Sequence, residues 1–199
     1  MRLGWPEDDE LDAITALRNR PDVRSQFLDR RPLDALRNRE WIRSGMKRPF
    51  EAMLAIRLKH HDTFVGAIGW SHGDPVTGSL ELGRVMIDTQ ALRARRLRFP
   101  EGYPGVAVDA GVAVRDYTFT TFGLRLIRME VIETNRLSLR AAMAGGGRIV
   151  GAREHTLDDG STVRLITLEC DRADCYRRLA PVCFKAMDET VPAALPLST

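Results

Sequence analysis

Four arginines, Arg93, Arg95, Arg96 and Arg98, run into a stretch punctuated by Pro100, Gly102, Pro104 and Gly105, after which a periodic apolar segment begins at Val106. Guanidinium groups match phosphate and carboxylate as planar forks. A glycine turn that feeds a helix adds unpaired backbone N–H groups and the positive end of the helix dipole. The combination is an anion-binding one, although a solvated basic loop would have the same composition. Cys170, Cys175 and Cys183 are odd in number, and neither CxxC nor a Cys/His ligand spacing occurs. This predicts no disulfide framework and no metal site, and fits a reducing, cytoplasmic setting.

The elements that would position these groups follow from hydrophobic period. Leu82-Gly83-Arg84-Val85-Met86-Ile87-Asp88 is an apolar run of strand length. Residues 89–105 read as a loop. Val106, Ala110, Ala113, Val114 and Tyr117 share one helical face, with Gly123 placed to close the helix. Strict alternation of Val106, Val108, Ala110, Val112 and Val114 also suits a strand, but the pattern through Phe119 exceeds usual strand length. Residues 124–132 read as a strand buried on both faces. Asn135 then caps a short helix that Gly145-Gly146-Gly147 ends.

Upstream, three helical patterns occupy residues 8–45 and two strands, 51–59 and 63–70, form a hairpin through His60-His61-Asp62. With 82–88 they predict three antiparallel strands. Downstream, 148–151 and 162–168 form a further strand pair, and a last helix spans 174–187. The 199 residues fit one compact α/β (α+β) domain over 1–185 with a tail at 186–199. Net charge is +3, and apart from Lys47, Lys59 and Lys185 the basic residues are arginine. The N-terminal residues lack the apolar core of a signal peptide, and no apolar run reaches membrane-spanning length, so no membrane partner is expected.

Several strings, taken in order, resemble the GCN5-related N-acetyltransferase (GNAT) superfamily over residues 8–180, and within it the ribosomal-protein and small-amine branch. They are Leu17-Arg18-Asn19-Arg20-Pro21-Asp22-Val23-Arg24, Asn38-Arg39-Glu40-Trp41-Ile42, Phe64-Val65-Gly66-Ala67-Ile68, Glu81-Leu82-Gly83 with Met86-Ile87, and Asp116-Tyr117-Thr118-Phe119 with Phe122-Gly123-Leu124. Asn135, Ser138 and Gly146 keep the spacing of the family's asparagine, serine and glycine. The resemblance implies the GNAT fold: a central mixed, mostly antiparallel sheet, helices on both faces, and a splay between strands 4 and 5 that receives an acyl-CoA. It further implies an N-acyltransferase that moves an acyl group from acetyl-CoA, or another phosphopantetheine thioester, to a small-molecule or peptide amine, without a metal.

Glu81, just before the implied splay, is the candidate base. Asn135 and Ser138 are candidates to touch the donor or the leaving sulfur, the alternatives being a helix N-cap and a solvated helix position. By the same resemblance Val85, Met86 and Ile87 line the thioester arm, with backbone N–H near Val85 and Met86 facing the oxyanion. Arg95, Arg96, Gly105, Val106, Ala107 and Asn135 would hold the cofactor. Trp41, Trp70 and His155 are candidates for the acceptor side, the alternatives being core anchors for the two tryptophans and an exposed turn for the histidine. Two features depart from the family pattern. Tyr103-Pro104-Gly105-Val106-Ala107-Val108-Asp109 keeps one glycine of the pyrophosphate loop, and Ala142 stands where many members place a tyrosine. An acyl carrier protein or aminoacyl-tRNA as donor, a non-catalytic acyl-CoA-binding module, and a homodimer remain open alternatives.

Overall fold

The computed structural model describes residues 1–48, 50–59, 62–95, 99 and 101–179. Its frame is a meander of β2 (Ala52–Leu58), β3 (Thr63–Asp74) and β4 (Ser79–Ile87), with the short β1 (Arg2–Gly4) paired to the outer edge of β2. β5 (Leu126–Ile132) runs parallel to β4, and β6 (Arg148–Thr156) and β7 (Thr162–Asp171) complete a seven-stranded mixed sheet of order β1-β2-β3-β4-β5-β7-β6.

Alternation along β2 shows how the sheet separates two cores. Ala52, Leu54 and Ile56 join Leu3, Trp70, Leu80 and the buried face of α5 (Val106–Thr121), where Val106, Ala110, Ala113, Val114 and Phe119 pack. Met53, on the other face, joins Ala67 and Met86 beneath α1 (Asp8–Asn19) and α3 (Ala35–Gly45), through Leu11, Ile14, Leu17 and Ile42. A third cluster, Val131, Leu139, Ile166 and Leu168, seats α6 (Arg136–Ala144) on β5 and β7. α2 (Pro21–Arg24) and α4 (Thr89–Ala94) are short connecting turns of helix, and α7 (Arg172–Leu179) follows β7.

Residues 106–121 are helical, as the 3.6-residue period requires, and Gly123 takes the left-handed conformation (φ 66°) just beyond the C-cap Phe122. Several local expectations need correction. Residues 89–94 are not loop: Asp88 accepts from the Ala91 N–H at 3.0 Å and starts α4, a capping signal masked by the basic composition. β5 is not buried on both faces, because Arg128 and Glu130 point outward, to Glu169 at 3.0 Å and to Arg153 at 2.7 Å. Cys170 and Cys175 form a disulfide between the end of β7 and α7. β1, three residues long, is too short for a periodic signal. His60, His61, Arg96, Arg98, Cys183 and the tail 186–199 lie outside the described residues. No helix among the described residues is long and apolar enough to cross a membrane.

α1 is fixed to the sheet by a buried ion pair. Glu10, 6% exposed, receives Arg57 Nε at 2.7 Å and Arg57 Nη2 as well, while Arg57, 3% exposed, also donates to Trp5 O at 3.0 Å. The same Glu10 closes a capping box with Glu7. Glu10→Ala strands the Arg57 cation in the core, and urea unfolding should show a loss of roughly 3–5 kcal/mol. Glu10→Met combined with Arg57→Leu should recover most of that loss, because no buried charge is left behind.

Candidate functional site

β4 and β5 pair at Ser79↔Leu126, Leu80↔Ile127 and Glu81↔Arg128, and nowhere further along. Beyond Glu81, β4 stays with β3 as far as Gly66↔Ile87, and β5 stays with β7 as far as Ile132↔Leu165. The two strands therefore part, each with one edge of main-chain N–H and C=O groups left without a neighbouring strand. A bulge accompanies the parting: between Gly69↔Gly83 and Ala67↔Met86, Arg84 and Val85 together oppose Ile68, with Arg84 at φ 53°. β3 lies so close here that a Cβ on Gly66 would meet Met86 O at 2.1 Å, which explains the glycine in this strand.

The gap opens into a cleft of about 1470 Å³ that passes from the α1–α3 side of the sheet to the α5–α6 side. On the α5–α6 side, Gly105 is the N-cap of α5 at φ 101°, no side chain caps the helix, and a Cβ at Gly105 would meet nothing within 4 Å. Gly105 and Ala107 line the cleft, so the free N–H groups of the first turn open toward it. Val106 contributes only backbone, since its side chain is buried in the core. Asn135 and Ser138 line the same arm, and Asn135 Oδ1 accepts from the Ser138 N–H at 3.1 Å as the N-cap of α6. Ala142 lines the cleft as well. Arg115, 4% exposed, donates to the Gly145 carbonyl and lies 3.0 Å from Asp116, tying α5 to the C-terminal end of α6.

On the other side, Glu81 lines the cleft with its side chain 46% exposed, and His72 Nδ1 lies 3.2 Å from its Oε2. Val85, Met86 and Ile87 also line it. Trp41 stands at this arm with the Arg84 guanidinium over its ring at 4.8 Å. Burial pulls the Arg84 pKa below its ordinary value, partly offset by the charges of Glu51 and Glu81. Arg20 reaches Asp22 and Asp88, each at 2.8 Å, and joins α2 to the end of β4.

The other expected site residues lie elsewhere. Trp70 is 2% exposed and packs against Tyr117 and Phe122 at 6.2 Å, which makes it a core residue outside the cleft. His155 sits on β6 opposite Val163, away from the cleft. Arg95 is exposed at the C-cap of α4 and does not line it, and Arg96 is not described. Sequence reasoning missed His72, Arg84 and Arg115. A lone arginine inside the apolar run 82–88 was the available signal for Arg84.

A family model described as "Acetyltransferase (GNAT) domain" matches residues 1–148. The chain belongs to the GNAT acetyltransferase family. No curated protein sequence matches it. Among solved structures it is similar to spermidine N-acetyltransferase from Vibrio cholerae in complex with CoA and spermine, with TM-score 0.72 and 16% identity over 87% of this chain and 96% of that one. A variant of the same Vibrio cholerae enzyme gives TM-score 0.69 and 16% identity over 89% and 99%. A putative phosphinothricin N-acetyltransferase gives 0.62 and 18% over 85% and 96%. At these identities the likeness is one of fold.

The placements of the two tryptophans predict responses of different size. Trp70→Ala should cost roughly 3–5 kcal/mol in urea unfolding, as a large core deletion does. Trp41→Ala, at a half-buried cleft position, should cost about 1 kcal/mol or less, mostly the ring's contact with Arg84.

Proposed function

We propose that this GNAT protein transfers an acetyl group from acetyl-CoA to an amine by direct attack. The observation that carries the reading is the pair of unpartnered strand edges, 82–87 and 129–132, facing each other across a cleft that ends at an uncapped helix start. An extended arm with amide groups can add to such edges as a further strand would. The first turn of α5 at Gly105, Val106 and Ala107 suits the pyrophosphate.

Acetyl-CoA supplies the activated acyl group, and the protein supplies position, a proton acceptor and oxyanion donors. An alkylamine is protonated at neutral pH, with a pKa of about 10.4. Glu81 takes the proton directly or through water, with His72 holding the carboxylate from the β3 side. Backbone N–H groups at the β4 bulge, near Val85 and Met86, donate to the charge that develops on the thioester oxygen. Asn135 and Ser138 border the leaving sulfur. A thiol of pKa about 8.5 departs readily, so Ala142 in place of a tyrosine is compatible with transfer.

Thiol release from acetyl-CoA with a panel of amines tests the reading. Amine-dependent release should appear, and Glu81→Gln should lower kcat by about 10²-fold or more with little change in the KM for acetyl-CoA. Ser138→Ala should lower it by less than about tenfold. Tight CoA binding without release would identify a binding module, and release only from a carrier-bound or tRNA-bound donor would move the donor assignment.

A further inference from the structure

Two arginines of the cleft differ from the rest. Arg18 is 6% exposed, its guanidinium lies 3.9 Å over the Phe27 ring, and Nη2 donates to the Asp29 carbonyl, but its buried Nη1 has no hydrogen-bond partner. Arg84, at the β4 bulge and over Trp41, likewise has a buried Nη1 without a partner, and no carboxylate lies within ion-pair distance of it among the described residues. Both line the arm that also holds Glu81 and Trp41.

The acids nearby are already engaged. Asp22 is paired with Arg20, and Asp34 caps α3 through the Arg37 N–H. Arg31 holds the Asp29 carboxyl down at about 2 through its side-chain hydrogen bonds. Arginine does not shed its proton to escape such a site. A buried guanidinium donor without an acceptor costs free energy that folding alone gives no reason to bear. The left-handed φ of Arg84, a non-glycine residue, adds local strain at the same place.

We infer that the acetyl acceptor is a small amine carrying a carboxylate, an amino acid, with the carboxylate bound by Arg84 and assisted by Arg18. This deepens the acetyl-transfer reading and rests on it. Glu81 and Arg84 lie on the same strand, on either side of Leu82 and Gly83, and their charges are close enough to influence each other. An α-amino acid presents its ammonium and carboxylate a single carbon apart. It therefore offers the first group to Glu81 and the second to the fork of Arg84. A polyamine would bring further positive charge against Arg18 and Arg84, an arrangement that disfavours binding.

The test compares leucine, leucinamide and isopentylamine as acceptors, with phenylalanine, phenylalaninamide and phenethylamine as a second series. Leucine and phenylalanine should be the preferred members by kcat/KM. Arg84→Met should cut the ratio of kcat/KM for amino acid over decarboxylated amine by about 10²-fold, chiefly through KM, with Arg84→Lys intermediate. Preference for the amides would point to peptide N-termini and overturn the inference, as would a ratio unchanged by Arg84→Met.

Thermal unfolding separates a structural role, because Arg84→Met removes a half-buried cation without an ion-pair partner among the described residues and keeps an apolar side chain of similar length against Trp41, so Tm should change little. A marked fall in Tm would make Arg84 a packing residue and overturn the proposal. Calorimetric titration with leucine, with and without CoA, distinguishes the two readings. Arg84-dependent leucine binding without acetylation would sink acetyl transfer and keep the carboxylate site. Acetylation of amines with indifference to the carboxylate would do the reverse.

Discussion

β4 cannot serve two neighbours along its whole length, and the rest of the molecule is arranged around that constraint. Contact with β3 is enforced at Gly66, where the backbones come too close for any side chain, and the extra residue at Arg84-Val85 bends β4 at the same place. β5, for its part, is held to β7 by an unbroken register from Leu126↔Asp171 to Ile132↔Leu165. Each strand is thus committed to its outer partner, and three pairs are all that join the two halves of the sheet. Main-chain groups facing the gap are the polar residue of this arrangement, and satisfying them with a strand-like ligand recovers hydrogen bonds that folding leaves unmade.

The helices on the two faces give the gap its ends. α5 fills one core with its apolar face, so its N-terminus is brought to the mouth of the gap by packing, and no contact to a ligand is needed for it to form. Arg115 then ties α5 to the last turn of α6, a cation placed where helix carbonyls lack partners. On the opposite face, Glu10–Arg57 anchors α1, and Arg20 links α2 to Asp88 beyond β4. Two compartments result, and they join where β4 and β5 diverge.

Much of this was legible because it depends on local signals. The apolar runs marked β2 to β5, the 3.6-residue period marked α5, and Asn135 announced α6 by a capping rule that works through adjacent residues. Glu81 was legible as a candidate base, but His72 beside it was not, because it reaches Glu81 across a hairpin whose register the sequence does not specify. Trp41 and Trp70 look alike as letters, and only tertiary packing puts one at the cleft and the other among Tyr117 and Phe122. Likewise, the Cys170–Cys175 disulfide depends on how α7 folds back on the end of β7, which spacing alone did not reveal.

The loop before α5 departs from the family pattern in sequence, yet its helix start keeps its first backbone donors free. Pro104 lacks an N–H, and by motif comparison it weakens the anion site. In the structure it precedes the N-cap Gly105, and the helical bonding begins with the Asp109 N–H donating to Gly105 O at 3.0 Å. The unpaired donors are therefore those of Val106, Ala107 and Val108, none of which Pro104 could have supplied. The acidic residue of the first turn, Asp109, would repel an anion if it faced the cleft. It is instead buried and accepts the Tyr103 hydroxyl at 3.0 Å, and burial together with the Asp109 charge raises the pKa of that phenol. One glycine is enough at this helix start because only the N-cap needs a positive φ and an open side toward the cleft. The other positions of the turn contribute main-chain N–H groups that any residue except proline provides.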